Sequence, residues 1–360
     1  YVAKACNTVM KLSTGRTHAI LRSVARYITR TVNSELNQLS YNRQTLVVLG
    51  EPEVFQIELT NHCPMTCVMC PRTEGMTRQL GYMDEQLFHR VIVEIAGFSS
   101  KVLLHHFGES LVHPKIPDFI RFANQHHVRC FLSTNAALLT EKRSRDLVDS
   151  GLEELVVSLD GVSAKTNLAI RGKAAQDVDD AERKVRFLLG YRQERQAKVP
   201  RVIMQFVRQK LNDHEMQDWL LKWRAVPGVD AVKVKSYISW DGQDGRINAL
   251  RVVPERRPER IVCDKPWTSV TIIWDGRVVP CCFDHDAKYV LGDLRHQSLD
   301  EIWRGEQVRA LRQAHRGRQL NHVMLCARCV DKEGYPVPRW YYPLNRLLQA
   351  QYPLGDQEKM

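Results

Sequence analysis

Nothing in the 360 residues approaches a run of about 18 consecutive uncharged apolar side chains, the length a membrane-spanning helix needs. The opening residues, YVAKACNTVM, carry neither the apolar stretch nor the small-residue cleavage site of a secretory signal. They do not begin with Met, which suggests a trimmed or internal start. Glycine (19) and proline (15) are modest in number, and no tract is compositionally biased, so collagenous, low-complexity and disordered chains are excluded. Acidic residues are outnumbered, 41 Asp and Glu against 52 Lys and Arg, for a net charge of +11. That balance favours anionic partners such as a phosphorylated or carboxylated small molecule. No cluster of Arg and Lys interleaves with aromatics, so nucleic acid is not supported as a partner, and neither is a membrane. No G-x-G-x-x-G follows the first strand-like run, which weakens a dinucleotide-binding fold.

What is present describes a globular enzyme: 44% hydrophobic and 26% charged residues, enough for a large core without disulfides. The length suggests two or three domains. Ten cysteines fall at 6, 63, 67, 70, 130, 263, 281, 282, 326 and 329. Short-spaced clusters in a chain without an export signal point to metal binding in a cytoplasmic protein.

Residues 1–50 read as a basic helical extension, with Leu21, Val24, Ile28 and Val32 at helical spacing. Such a helix either meets a membrane surface or partner or, the favoured reading, lies against the main domain. From residue 51 to 240, strand-like runs at 54–59, 101–106, 128–133, 154–159, 201–207 and 231–238 alternate with helix-like stretches at 83–97, 118–125 and 181–194. This order implies an α/β fold of right-handed βαβ units on a parallel sheet. Six units are too few for an eight-stranded barrel, so an open or partial barrel fits; a doubly wound sheet competes. Residues 241–262 read as a linker. Residues 263–335 form a small second domain with a hairpin around Asp275-Gly276 and a helix capped by Ser298 and Glu301. Residues 336–360 are an aromatic tail that packs on the body or forms an exposed patch.

Cys63, Cys67 and Cys70 lie within eight residues directly after the first strand. Three thiolates so spaced converge only from a loop. Structural zinc wants four closed positions and iron–sulfur clusters usually take four cysteines, so three leave one iron open to a substrate or cosubstrate. Cys263, Cys281 or Cys282, Cys326 and Cys329 supply a second set of four thiolates, which by spacing suits zinc or a 4Fe–4S cluster equally.

The C-x3-C-x2-C run resembles the signature of the radical S-adenosylmethionine (SAM) enzymes. The resemblance implies a partial (β/α)6 TIM-like barrel in which Cys63, Cys67 and Cys70 hold a 4Fe–4S cluster. Its open iron chelates SAM, and an electron splits SAM to a 5′-deoxyadenosyl radical that abstracts a substrate hydrogen. Met69 stands where the family often places an aromatic residue against adenine. Further motifs resemble the family's SAM contacts at successive strand ends: Gly108 and Glu109 in Phe-Gly-Glu-Ser, Ser133 and Asn135 in Ser-Thr-Asn, Ser158 and Asp160 in Ser-Leu-Asp-Gly, and Arg171, implied to pair with the SAM carboxylate. The spacing from Cys263 through Gly276 to Cys281 is similar to the opening of a SPASM domain. Because only Cys326 and Cys329 follow, the resemblance implies the shortened "twitch" form, a small α+β domain with one auxiliary 4Fe–4S cluster on Cys263, Cys281, Cys326 and Cys329. An electron donor such as flavodoxin or ferredoxin is implied as a partner.

Three other residues are candidates for catalysis. Cys282 is either an inert residue of the hairpin, the favoured reading, or a thiol able to give a hydrogen atom to a substrate radical. His105 and His106 end the second strand-like run, where alternation along a strand would let one face the interior as a base or substrate contact. Twitch-type relatives include dehydrogenases of aminocyclitols and sugars. The first expectation is therefore oxidation of a secondary alcohol in a small polar substrate, sugar-like or anionic. Radical epimerisation or C–C cleavage of a sugar or nucleoside comes second, and peptide modification third.

Overall fold

A computed structural model of the chain describes residues 16–173, 177–236, 240, 244–252, 262–327 and 329. Six strands alternate with helices: β1 Glu53–Ile57, β2 Lys101–Leu103, β3 Arg129–Thr134, β4 Glu154–Ser158, β5 Arg201–Arg208 and β6 Ala231–Ser236. Each is parallel to the one before it and lies beside it, as right-handed crossovers require. The sheet is not closed, so the expected partial barrel is what forms.

Residue alternation assigns the two faces. Val102, Cys130, Leu132, Leu155, Val157, Val202, Met204 and Phe206 are all buried in one core shared with the crossover helices, including Glu85–Ile95, Ile116–Gln125 and Val178–Glu194. Their neighbours in sequence, Leu103, Phe131, Ser133, Val156, Gln205, Lys233 and Lys235, turn to the inner face. The helices begin where short polar side chains accept backbone N–H groups: Asp84, Thr140, Ser163 and Asp177 all do so. Ser298 and Glu301 form the expected capping box. The helix expected after Ser298 is two, Leu299–Trp303 and Glu306–Arg316, separated at Gly305, which is extended (ψ 170°) and N-caps the second.

The C-terminal hairpin does not stand apart. Strand β7 (Ser269–Ile272) pairs in parallel with β1, and β8 (Arg277–Val279) and β9 (Gly292–Asp293) continue antiparallel. One nine-stranded mixed sheet in the order β6-β5-β4-β3-β2-β1-β7-β8-β9 therefore carries both halves of the chain. Sequence patterning marks the hairpin as local and gives no sign of this long-range pairing. Most of the expected linker 241–262, the tail and Cys6 lie outside the described residues.

The N-terminal helix, Arg16–Asn42, lies on the body, but not through the expected apolar stripe: Val24 and Ile28 are exposed. Its buried face is polar, with Thr29, Asn37 and Ser40 inside. The side-chain amides of Asn33 and Asn37 donate to the Glu51 carbonyl at 3.0 and 2.7 Å, and Arg30 donates to the Ala96 carbonyl at 3.0 Å. Polar side chains of this helix grip backbone groups of the following segment and the barrel, and near its end Tyr41 packs against Trp267 of the core. No helix among the described residues is long and apolar enough to cross a membrane.

Candidate active site

The cysteine loop and the motifs around Glu109, Asn135 and Asp160 sit at the C-terminal ends of strands, where parallel sheets gather their loops, and Arg171 reaches them from the end of the helix Ala164–Arg171. The cysteine loop after β1 is pinned by backbone bonds. Thr66 N–H donates to the Arg171 carbonyl (3.1 Å) and Val68 N–H to the Ile170 carbonyl (2.9 Å). This close approach depends on Gly172, at φ +82°, where a Cβ would lie 2.0 Å from Thr66 Oγ1. Gly108, at φ +112°, plays the same part after β2: a Cβ there would lie 2.4 Å from the Thr60 carbonyl oxygen. Its neighbour Glu109 donates its N–H to the His62 carbonyl at 2.7 Å, locking the first two loops together.

Cys63, Cys67 and Cys70 are half-buried and none is in a disulfide. Burial pushes the Cys63 thiol up to about 11 and the Cys70 thiol to about 12, with the neighbouring thiols adding to the effect. Burial raises Cys67 as well, while Arg171 acts to lower it. The Asn135 amide donates to Cys63 Sγ at 3.5 Å. Three mutually repelling sulfurs, desolvated beside Arg72 and Arg171, are a donor set that wants a cationic centre.

The polar residues around this loop are brought together, with partners the sequence does not reveal. Glu109 is buried and accepts from Leu111 N–H (3.1 Å), Thr134 Oγ1 (3.0 Å) and Asn135 N–H (2.8 Å); burial nonetheless raises its pKa. Arg171, implied to await a carboxylate of SAM, is paired instead with Asp160, Nε donating to Oδ2 at 2.9 Å. Burial opposes its charge, but Asp160 and Cys67 outweigh that and raise its pKa. Asp160 is itself fully buried and accepts from Val207 N–H at 2.8 Å, so Asp160 supports the arginine. Ser158 Oγ accepts from the Gln205 amide at 3.0 Å, while Ser133 is half-exposed on the inner face. Beside them a cleft is lined by Met65, Asn135, Leu159, Asn167 and Arg171.

Met69 accepts at its carbonyl from Trp240 Nε1 (2.8 Å). Trp240 also packs on Phe107 and Phe283, with centroids 4.9 and 6.2 Å away, and so joins the cysteine loop to the hairpin. Nothing local in the sequence marks Trp240, because its neighbours come from three distant segments.

Strand β2 ends at Leu103, so the alternation expected for His105 and His106 does not apply. Both are enclosed. His106 Nε2 meets the Cys282 carbonyl at 2.9 Å and Nδ1 lies 3.5 Å from Glu58, which makes it a structural bridge between the two halves and not a free base. Glu58, at the end of β1, is fully buried. It also takes both guanidinium nitrogens of Arg78 and lies 3.3 Å from the Phe107 N–H. His105 is held neutral by burial, its pKa brought down to about 3, with Lys235 nearby contributing.

The second cysteine set also converges. Cys263 and Cys281 are pushed well above the usual thiol range, burial being the main cause. Cys329 lies near enough to act on both, and Cys282 and Cys326 on Cys281.

Comparison with known proteins accords with this arrangement. Residues 57–215 match the radical SAM superfamily, and residues 263–330 match SPASM, an iron-sulfur cluster-binding domain. The chain is a radical SAM enzyme with a C-terminal SPASM domain. Its cofactors are accordingly 4Fe–4S clusters and SAM. A Pyrococcus furiosus protein that modifies the cofactor of tungsten-containing aldehyde ferredoxin oxidoreductase is 26% identical over 70% of this chain and 80% of its own. The SAM-dependent 2-deoxy-scyllo-inosamine dehydrogenase of Niallia circulans is 22% identical over 77% and 92%. Among solved structures, BtrN in complex with AdoMet and 2-DOIA superposes with a TM-score of 0.50 at 17% identity, covering 77% of this chain and 94% of that one. SuiB of Streptococcus suis bound to its precursor peptide superposes with 0.56 at 13% identity, over 83% and 72%.

Proposed function

We propose that this radical SAM enzyme oxidises a secondary alcohol of a small polar molecule, sugar-like, aminocyclitol-like or nucleoside-like, with Cys63, Cys67 and Cys70 holding the SAM-binding cluster and Cys263, Cys281, Cys326 and Cys329 an auxiliary one. The observation that carries this reading is the pair of cysteine sets, three on the loop after β1 and four from the segments before β7, after β8 and in and after the last described helix. When bound, the first cluster and SAM supply the electron and the radical that removes a substrate hydrogen.

The chain's own residues do the rest. Asn135 and Arg171 meet the sulfurs and supply donors for a bound carboxylate, with Asp160 fixing the guanidinium plane. Glu109, already holding two loops together, would offer its carboxylate to the ammonium of bound SAM. Met69, held at its carbonyl by Trp240, presents an adaptable apolar surface to a purine. Four cysteines in the second set close every iron of a cubane to substrate, which favours taking up an electron over chelating the substrate. Support for an alcohol substrate comes from the dehydrogenase relative named above.

Anaerobic reconstitution with iron, sulfide and SAM tests the reading. 5′-Deoxyadenosine should form, and a ketone should accumulate from a deuterated alcohol whose label passes to 5′-deoxyadenosine. Solvent hydrogen entering an otherwise unchanged product would favour epimerisation with Cys282 as donor, and absence of 5′-deoxyadenosine would mean an inactive scaffold.

A further inference from the structure

We propose that Asn135 sets the reduction potential of the SAM-binding cluster by donating a side-chain N–H to the sulfur of Cys63. The proposal rests on the cluster assignment above and adds a tuning residue to it.

The direction of the amide is fixed by what holds its other end. After β3, Ala136 lies at φ +65° and turns the chain back, so that Ala137 N–H reaches Asn135 Oδ1 at 3.0 Å. An amide whose oxygen accepts from a backbone N–H must present its NH2 group on the opposite side. On that side lies Cys63, whose Sγ is 3.5 Å from the Asn135 amide nitrogen. The backbone on both sides of the turn is held as well. Asn135 N–H donates to the buried Glu109 at 2.8 Å. The Ala137 carbonyl accepts from Lys184 at 2.8 Å, and Lys184 is paired with Asp180 at 2.6 Å. Contacts from the loop after β2 and from the helix Val178–Glu194 thus keep one donor on one sulfur.

The donor is placed where it bears on electron uptake. Cys63 also accepts from Met65 N–H, whereas among the described residues the hydrogen bonds to Cys67 and Cys70 come from backbone N–H groups. A cluster gains one negative charge on reduction, and part of that charge is carried by its ligand sulfurs. An N–H aimed at such a sulfur stabilises the more negative state and raises the potential. The electron comes from a one-electron donor of the ferredoxin or flavodoxin class, and no bond forms or breaks in this step. Asn135 also lines the cleft beside Arg171, so its role toward sulfur is read in the absence of SAM.

Reconstituted protein without SAM should be brought anaerobically to successively lower applied potentials and followed by EPR. Adding SAM to a portion at the end identifies the first cluster, the one with an open iron. At a fixed potential the reduced-to-oxidised ratio of that cluster should fall about fivefold in Asn135→Ala, the part of a charged hydrogen bond that differs between oxidation states. That is about 40 mV, at about 59 mV per tenfold for one electron. Asn135→Asp keeps an acceptor for Ala137 N–H but turns a carboxylate oxygen to the sulfur, and should lower the ratio further. Wild-type protein carrying 15N only in asparagine side chains should show a nitrogen coupling in the pulsed EPR spectrum of the same cluster, a readout that needs no variant to fold. An unchanged ratio in Asn135→Ala with weaker SAM binding would make Asn135 a SAM contact alone, and a wild-type ratio in Asn135→Asp would make it a structural residue. Either result, or absence of the nitrogen coupling, overturns the proposal. Wild-type protein with no SAM-responsive cluster sinks the cluster assignment and the proposal with it, whereas a SAM-responsive cluster of unmoved potential sinks only the proposal.

Discussion

At the level of single residues, the cysteine loop owes its position to an atom that is missing. Gly172 ends the helix Ala164–Arg171 at positive φ and lets Thr66 come within reach of the Arg171 carbonyl. In Gly172→Ala the new methyl would meet Thr66 Oγ1 at 2.0 Å and carry the strain of φ +82°. Iron bound by the reconstituted variant should fall by about half, as one of two four-iron sites is lost, and 5′-deoxyadenosine formation should fall at least tenfold. Thr66→Ala alone should be nearly silent, and Thr66→Ala combined with Gly172→Ala should recover part of the loss. The cysteines themselves were legible from spacing, whereas Glu109, Asn135 and Arg171 were expected at the site only through the resemblance to the family's motifs. What spacing could not reveal is the partner of each. Asp160 and Arg171 are eleven positions apart, and their pairing depends on how the helix after β4 folds back.

Between elements, the decisive contact is the buried carboxylate of Glu58. It joins β1 to Arg78 of the following loop, to His106 after β2 and, through His106, to the Cys282 carbonyl of the hairpin. Burial alone would raise its pKa, but His106 and Arg78 together hold it below the usual 4.5. A carboxylate with a depressed folded-state pKa stabilises the protein fully above its unfolded value, and that contribution is lost as pH falls through the folded one. Melting temperature of the wild type should therefore drop below about pH 4.5, and Glu58→Gln should flatten that part of the profile. At neutral pH the same variant should cost about 3 kcal/mol, because Arg78 is left buried without its counter-charge; chemical denaturation measures it. All six barrel strands lie where the strand-like runs put them, and β2 is merely shorter, with His106 beyond it bridging Glu58 and the Cys282 carbonyl. The stripe of Val24 and Ile28 misled because the N-terminal helix is held by Asn33, Asn37 and Arg30 reaching backbone carbonyls, a use of polar side chains that hydrophobic periodicity cannot register.

For the whole molecule, the two cysteine sets predict about eight irons per chain after anaerobic reconstitution. A Cys281→Ala, Cys263→Ala double variant should retain about four and keep uncoupled 5′-deoxyadenosine formation while losing substrate oxidation. Iron analysis with Mössbauer spectroscopy checks the first and product analysis the second. If zinc is found in place of the second four irons, the auxiliary cluster is refuted.

Strand β1 draws its hydrogen bonds on one side from β2 and on the other from β7, whose residues leave the ribosome roughly two hundred positions later. Until then the strand that launches the cysteine loop has a bare flank, open to pairing with another nascent chain. Expression should thus tolerate poorly any truncation upstream of Ser269, and iron delivered during translation would arrive before its cradle has a second wall.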